Sequence, residues 1–527
     1  SESVELRLVK DLAEGASARH GFFYATLSGN RLGNFDFVLD PILSRGLRIG
    51  QFTTERGPVF DTWTQFEPKS IASGQRAAPL PEYEIKHYDL DATLDPDLLL
   101  KARARLHLTP AAPRATIALM VSQNMRIGSA TAKSAAGEEK LEIYRPQSLR
   151  LNTIRRDQDS AFLVSMPKSA LPGRPIEIEI VYEGRVVQEA GNDVLFVGAR
   201  GSWFPGAVNR LSTYDVTFRV PKGLDFVSTW DTVERSSDDT TTTFHASVRT
   251  PVRTFGFNLG KYKQTTVRMD GFVVNVFANT QVETALEPRN RVLIVPTAPT
   301  APGRRRAPGV TIASVPSPTP DPSRSLERLA REVATIMGKF SALFGPPAMR
   351  TVNVSPIPGP FGQGFAGMVY LSTISYLPDS QRPDNVKDSA SQTFYSNLLL
   401  SHELAHQWWG NLVYCESDQD TWLMEGLANY SALMMLEETK GKKEATALLL
   451  RYRDNLLASL GDDRIVDDAG PILWGERLIN SRDRDSWNTI TYEKGTWIFH
   501  MLRARLGDEA FFRLLRELPA RFARRPL

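Results

Sequence analysis

The pattern H-E-x-x-H at positions 402–406 constrains the fold of this chain more than any other feature. Residues four apart on an α-helix share a face, so His402 and His406 can present two imidazole nitrogens to one metal ion. Glu403 then lies one position round the helix, beside the open coordination position. A second helical segment carries Glu425, which can serve as the third ligand. Three protein ligands and a water are typical of a catalytic zinc, so the pattern predicts a hydrolase that activates water.

A single histidine in a helix is more often a surface or core residue than a ligand. The spacing of His402 and His406, together with Glu425, argues against coincidence. Imidazole and carboxylate ligands in this motif favour zinc over cobalt or manganese. We therefore expect one Zn²⁺ per chain.

The composition is that of a globular protein with several domains. The chain has 527 residues, of which 42% are hydrophobic and 23% charged, and is too long for a single core. A net charge of +3 and short arginine patches without interleaved aromatic residues predict no nucleic-acid partner. No apolar run is long enough to span a membrane. With Cys415 as the only cysteine, both an exported and a cytoplasmic location stay open, as does the oligomeric state.

The pattern of apolar residues predicts a multidomain α+β fold. Residues 1–80 alternate apolar and polar positions, as in residues 4–8 and 22–27, which predicts a small β-rich module. Regular strand spacing predicts a β-sandwich over residues 81–265. Residues 266–325 are expected to connect the domains and to contain a flexible Pro- and Arg-rich insertion. Helical periodicity begins at Leu326, so residues 326–527 are predicted to form a mostly α catalytic domain.

A hydrolase of this kind needs a further hydrogen-bond donor for the negative charge that develops on the scissile carbonyl oxygen. Tyr492 is a candidate because a phenol donates while staying neutral at pH 7. On the residues alone, an ordinary half-buried tyrosine is an equally good interpretation. Asn411 and Asp420 are candidates to orient the imidazoles, or else cap or turn residues.

These segments resemble the alanyl aminopeptidase and leukotriene hydrolase family of gluzincin metallopeptidases. The eighteen residues between His406 and Glu425 match that family's spacing, and Tyr492 lies in a segment similar to the one that bears its transition-state tyrosine. The segments that carry the resemblance are residues 402–411, 422–426, 492–495, 214–224 and 255–260. The resemblance implies a saddle-like β domain, a thermolysin-like catalytic domain, peptide substrates, and Tyr492 as a catalytic residue. The helical C-terminal domain of the family is expected to be absent or truncated here.

The chain departs from the family in how a substrate amine would be held. Family members place an acidic residue some tens of residues before the zinc helix, whereas residues 359–370 contain none. Glycines there could let a substrate backbone lie along an edge strand, and the candidate substrate contacts are Gln363, Gly364, Ala366 and Gly367. A second family amine anchor would fall near Leu195, which is apolar. Three functions stay open: an aminopeptidase, an endopeptidase or hydrolase of another substrate, and a binding protein with a retained metal site.

Overall fold

The first element of the structure is a helix, α1 (Val4–Glu14). The computed structural model describes residues 4–14, 22–40, 46–54, 59–67, 69–75, 82–134, 137–145, 161–168, 170–207, 210–287, 291–296, 310–315, 319–415, 417–483 and 485–527.

The strand predicted at residues 4–8 is wrong. Besides apolar side chains, α1 buries Arg7 and Lys10, which are 4% and 1% exposed. Arg7 donates to Asp40 at 3.0 Å, and Lys10 pairs with Glu82, so both cations are compensated. Arg7 and Lys10 are three residues apart, as on one face of a helix. A pattern of apolar residues does not detect this spacing because both residues are charged.

A four-stranded antiparallel sheet follows, in agreement with the β-rich interpretation of residues 1–80. It docks on the C-terminal part of the chain, where Asp61 accepts hydrogen bonds from the backbone and hydroxyl of Ser481 at 2.7 and 2.5 Å. Arg477 donates to the carbonyl of Thr62 at 3.0 Å. The elements are β1 (Phe23–Gly29), β2 (Gly33–Leu39), β3 (Leu47–Thr53), β4 (Val59–Phe66) and the short helix α2 (Lys69–Ala72).

The predicted β-sandwich is present. Its eight-stranded sheet has the order β17-β18-β15-β5-β6-β12-β8-β9, and a three-stranded sheet has the order β10-β11-β7. The strands are β5 (Tyr83–Leu94), β6 (Leu100–Pro110), β7 (Thr116–Met120), β8 (Met125–Ser134), β9 (Gly137–Leu141), β10 (Ile143–Tyr144), β11 (Ala161–Ser165), β12 (Ile176–Gly184), β13 (Val187–Gly191), β14 (Val194–Val197), β15 (Ser212–Pro221), β16 (Asp225–Ser228), β17 (Thr232–Ser237), β18 (Thr241–Val252) and β19 (Phe257–Gly260).

Alternation along each strand sends apolar side chains to one face of the large sheet. Leu90, Leu106 and Val216 lie in one buried cluster with residues of the smaller sheet. Trp203 is fully buried in the same cluster, and its indole N–H donates to the carbonyl of Phe255 at 3.0 Å. The opposite face of the large sheet therefore carries the polar residues.

A five-stranded mixed sheet begins the catalytic region, with the order β20-β21-β24-β26-β25. The predicted boundary at residue 265 lies inside β20, and β21 pairs in parallel with β24 within this sheet. The insertion predicted within residues 296–323 falls largely outside the described residues. The strands are β20 (Tyr262–Met269), β21 (Phe272–Asn279), the hairpin β22 (Arg291–Pro296) and β23 (Val310–Val315), then β24 (Thr351–Ile357), β25 (Gln363–Phe365) and β26 (Met368–Ser372).

Helices dominate the remainder, as predicted. The helix expected from Leu326 ends at Gly345, whose φ of 91° suits glycine. The elements are α3 (Leu326–Phe344), α4 (Thr373–Tyr376), α5 (Ser389–Thr393), α6 (Leu399–Ala405), α7 (Thr421–Lys440), α8 (Lys442–Leu456), α9 (Ser486–Asn488), α10 (Gly495–Leu506) and α11 (Asp508–Phe522), with the short strands β27 (Val413–Tyr414), β28 (Ser459–Gly461), β29 (Arg464–Ile465) and β30 (Arg525–Pro526). No helix in the described part of the chain has the length and apolar character needed to cross a membrane.

Candidate metal centre

The helix α6 carries His402, and His406 directly follows its last residue with helical backbone angles, so both predicted ligands lie on one face. His402 and His406 are each 12% exposed, and their Nε2 atoms lie 3.1 Å apart. The opposite face of the helix carries Leu400 and Leu404, which are buried in the main core. A π-helical turn, Phe394–Leu398, leads directly into α6, and such turns often occur at functional sites. Core packing thus fixes the direction in which the two imidazoles point.

The predicted third ligand comes from α7, which packs against α6. Oε2 of Glu425 lies 3.4 Å from Nε2 of His402 and 3.5 Å from Nε2 of His406. This oxygen is buried and has no hydrogen-bond partner among the described residues. One ligand atom from each residue falls within 4.8 Å of the other two, as a single zinc ion requires. The donor set and the orphaned carboxylate oxygen therefore fit Zn²⁺.

The charges of the site support the same conclusion. Burial lowers the pKa of His406, but the carboxylate of Glu425 outweighs burial and raises that pKa to about 9. Burial likewise opposes ionisation of Glu425, yet the two imidazoles hold the pKa of its carboxyl well below the usual range. The pocket therefore attracts positive charge between these three side chains.

A backbone carbonyl orients the second histidine. Nδ1 of His406 donates to the carbonyl of Trp409 at 2.7 Å, which leaves Nε2 free to bind a metal. Asn411, a candidate for this role, instead donates to the carbonyls of His406 and Gly364 at 2.7 and 3.0 Å. Asp420 precedes the first turn of α7. Asn411 therefore ties the end of the zinc helix to strand β25 rather than orienting an imidazole.

The predicted general base is buried beneath strand β25. Glu403 is 5% exposed, and burial raises the pKa of its carboxyl above the usual range. A Cβ placed on Gly362 would lie 2.7 Å from Oε1 of Glu403, and one on Gly364 would lie 2.4 Å from its backbone oxygen. Glycines are therefore needed where the edge strand crosses the zinc helix.

Tyr492 lies against the metal centre, as the sequence predicts. Its ring centroid is 5.8 Å from that of His402 and 5.9 Å from that of Trp487. Burial and the carboxylates of Glu425 and Glu403 raise the pKa of its hydroxyl well above the usual range. The hydroxyl therefore stays protonated at neutral pH and can donate a hydrogen bond.

Sequence analysis missed the residue that holds Tyr492 in place. Asn429, one turn after Glu425 on α7, donates to the hydroxyl of Thr496 at 2.8 Å and to the carbonyl of Tyr492 at 3.4 Å. The helices α7 and α10 approach closely at Gly426, where a Cβ would lie 3.2 Å from the backbone of Gly495. The sequence feature that could have identified Asn429 is its position four residues after the predicted ligand Glu425.

The acid-free segment 359–370 includes the edge strand β25 and a residue paired with the β-sandwich. Nε of Arg200 donates to Oε1 of Gln363 at 2.9 Å, and a second nitrogen donates to the carbonyl of Val197 at 3.0 Å. Arg200 also lies over three aromatic rings, with centroids at 5.0 to 5.6 Å: Phe361, Tyr370 and Phe196. Leu195 is buried in the core. The sequence contained no pattern that joined Arg200 to Gln363.

Two of the predicted substrate contacts lie in the turn between β25 and β26. The carbonyl of Ala366 accepts a hydrogen bond from Thr229 at 2.7 Å, and the amide of Gly367 donates to Gln407 at 2.8 Å. The Gly367 φ of 71° explains the glycine. The carbonyl of Ala366 and the amide of Gly367 are thus engaged within the protein, and a substrate contact at these two residues stays a prediction. Gln363 and Gly364 remain candidates on the edge strand.

Two histidines from one helix and a glutamate from the next, beside a mixed sheet with an antiparallel edge strand, define the gluzincin class of metal site. Residues 364–526 match the Peptidase family M1 domain. The chain is 30% identical over 140 residues to endoplasmic reticulum aminopeptidase 2 of Homo sapiens and 30% identical over 143 residues to aminopeptidase N of Homo sapiens. Each match covers 26% of this chain and 14% of the relative's length.

The fold is also similar to the crystal structure of the M1 zinc metallopeptidase from Deinococcus radiodurans. The TM-score is 0.55 at 18% identity, over 85% of this chain and 89% of that one. Another structure of that enzyme holds the substrate Tyr-Ser-Ala, with a TM-score of 0.54 at 18% identity, over 85% of this chain and 88% of that one. Over residues 364–526 the chain is therefore similar to the catalytic domain of peptidase family M1.

Proposed function

We propose that this protein is a zinc-dependent metallopeptidase that hydrolyses peptide bonds with aminopeptidase-like chemistry. The observation that carries the proposal is the convergence of His402, His406 and Glu425 within 4.8 Å, with Glu403 and Tyr492 buried beside them. The names of the relatives and the peptide-bound Deinococcus radiodurans structure support a peptide substrate.

In the proposed mechanism each residue has one role. When bound, zinc supplies a Lewis acid that lowers the pKa of water and polarises a carbonyl. Glu403 takes a proton from the attacking water and passes it to the amine that leaves. Burial raises the pKa of this carboxyl, which favours acceptance of a proton. Tyr492 donates its hydroxyl hydrogen to the carbonyl oxygen as negative charge develops there.

The contact between Arg200 and Gln363 favours a second candidate for the choice of substrate. A free substrate amine is best held by a carboxylate, but the amide oxygen of Gln363 is neutral and already accepts from Arg200. The segment 359–370 supplies no acid. A substrate without a free amine, cut as by an endopeptidase, would therefore meet little penalty beside this strand.

The first test measures whether activity depends on zinc and on Glu403. We expect a chelator to abolish cleavage of a peptide and added Zn²⁺ to restore it. Glu403→Gln should retain zinc but lose activity by at least about 10²-fold, as expected for loss of general base catalysis. The exposed Glu444→Gln serves as the matched control. A zinc-loaded Glu403→Gln protein with unchanged turnover would contradict the mechanism.

The second test decides the substrate class. An unblocked peptide is digested and its products are followed by mass spectrometry, while rates on an amino-acid anilide are compared with rates on its N-acetylated form. Stepwise shortening from the N-terminus and little activity on the acetylated form would establish an aminopeptidase. Equal rates and internal cleavage would establish the endopeptidase alternative.

A further inference from the structure

A second group of metal-binding side chains lies on the β-sandwich, outside the catalytic domain. His87 and Asp89 occupy alternate positions of β5 on the polar face of the eight-stranded sheet. In the antiparallel register His107 on β6 lies directly opposite His87. One ligand atom from each of these three residues lies within 4.8 Å of the other two. Strand pairing alone therefore brings two imidazoles and a carboxylate together.

Nδ1 of His87 contacts Thr213 and leaves Nε2 facing the cluster. The hydroxyl of Thr213 lies 2.7 Å from Nδ1 of His87 and 3.2 Å from the carbonyl of Lys86. When that hydroxyl donates to Lys86, it accepts from Nδ1, and the lone pair of Nε2 is then available to a metal ion. A hydrogen-bond partner that fixes the tautomer is also a feature of metal-ligating histidines.

Nε2 of His87 faces two carboxylates. It lies 3.3 Å from Oδ1 of Asp89 and 3.4 Å from Oδ2 of Asp215. The other oxygen of Asp89 lies 2.8 Å from Nε2 of His107. Each of these contacts needs either a hydrogen on the imidazole nitrogen, which donates to the carboxylate, or a metal ion that the residues share.

We propose that His87, Asp89 and His107 form a second site for a divalent transition-metal ion. Two imidazoles and one carboxylate are a donor set that zinc accepts, and they leave a coordination position open to solvent. His87 is 22% exposed and the two other ligands 40%, so an ion can enter. Bound there, the ion would link β5 to β6 and stabilise the sheet.

The surrounding charges do not already neutralise the cluster. Asp215, next to His87, is engaged by Arg249 at 2.9 Å and by the hydroxyl of Ser247 at 2.6 Å. The nearby Arg105 on β6 donates to Glu179 at 3.0 Å. Asp89 makes its side-chain hydrogen bonds to the two histidines. The negative charge of Asp89 is therefore the one that a cation at this site would balance.

Zinc stoichiometry tests the proposal independently of catalysis. The full chain is equilibrated with a small excess of Zn²⁺, dialysed at pH 7.5 and assayed by elemental analysis. We expect two zinc ions in the wild type and one in His87→Ala/His107→Ala, which keeps peptidase activity. We also expect one in His402→Ala/His406→Ala, which does not. His245→Ala, on the same face of the sheet, is the matched control and should keep two.

A second variant distinguishes loss of the metal site from loss of the fold. Asp89→Asn keeps the size of the side chain and removes its charge, and should lower zinc content toward one while its circular dichroism is unchanged. Added Zn²⁺ should raise the melting temperature of His402→Ala/His406→Ala but not that of the same protein with His87→Ala/His107→Ala added. A single zinc in the wild type, lost only with His402 and His406, would overturn the proposal and leave the cluster held by hydrogen bonds from the imidazoles to Asp89.

Discussion

The hydroxyl of Tyr492 offers the sharpest test of the proposed chemistry, through the variant Tyr492→Phe. The ring contacts to His402 and Trp487 survive this change, and so do the hydrogen bonds to the backbone carbonyl of Tyr492 from Asn429 and Thr496. The change removes the hydroxyl donor, together with its hydrogen bond to Glu425. Removal of one buried oxyanion donor costs about 10²–10³ in kcat, or roughly 2.7–4 kcal/mol of transition-state stabilisation.

The assay is steady-state hydrolysis of a peptide, with zinc content and melting temperature measured on the same samples. We expect kcat to fall and KM to stay within about threefold, because the interaction forms only as charge develops on the carbonyl oxygen. Tyr452→Phe is the control: this buried tyrosine accepts from Asn429 at 3.3 Å rather than facing the carboxylates. A Tyr492→Phe enzyme with full zinc and a kcat within threefold of the wild type would refute the role of Tyr492.

Three further predictions follow from other contacts. Gln363→Glu adds a carboxylate to the edge strand. The ratio of kcat/KM for a free-amine substrate to kcat/KM for its N-acetylated form should rise by about tenfold, or roughly 1.4 kcal/mol. An unchanged ratio would mean that the substrate amine lies elsewhere. Burial raises the pKa of Glu493 from 4.5 to about 7, so the folded state holds an extra proton and loses stability as pH rises through that window. Glu493→Gln should therefore raise the free energy of unfolding at pH 8 by about 1–2 kcal/mol after allowance for partial exposure, with no gain at pH 4; equal denaturant midpoints of the two proteins at pH 8 would contradict this. Gly364→Ala places a Cβ 2.4 Å from the backbone oxygen of Glu403. This overlap should lower the free energy of unfolding by about 1–3 kcal/mol and kcat by at least about tenfold. In the control Gly128→Ala the nearest contact of the new Cβ is 3.4 Å, so activity should be unchanged.

The convergence of His402, His406 and Glu425 could be predicted because its geometry is local. The two histidines share one helical turn, and the interval to Glu425 is set by the connection between two packed helices. From its residue type alone, Tyr492 could equally be a catalytic residue or an ordinary half-buried tyrosine. Only the resemblance to a known family favoured the catalytic role. The structure brings all five side chains together where the sequence places them.

Domain limits and the first helix were harder to predict for a physical reason. Apolar patterning detects the burial of hydrocarbon, but α1 also buries two cations that are paired with distant acids. In the same way, the apolar residues of β21 are compatible with a place in either sheet. Its parallel pairing with β24 joins segments that are separated in sequence by the β22–β23 hairpin and by α3. Pairing between residues far apart in sequence produces no periodic pattern of apolar residues.

The contact between Arg200 and Gln363, which lie 163 positions apart, is the long-range pair that bears on selectivity. Arg200 is held by a carbonyl and lies over three aromatic rings, so the guanidinium charge is fixed rather than mobile. A substrate ammonium about 5 Å from that charge would be disfavoured by roughly 3 kcal/mol at an effective dielectric constant of about 20. An amide or acetyl group at the same place would meet no such repulsion. The proposed roles of the metal ligands, Glu403 and Tyr492 are the same in either case, so the proposed hydrolytic chemistry is compatible with a β-sandwich residue that disfavours a free substrate amine.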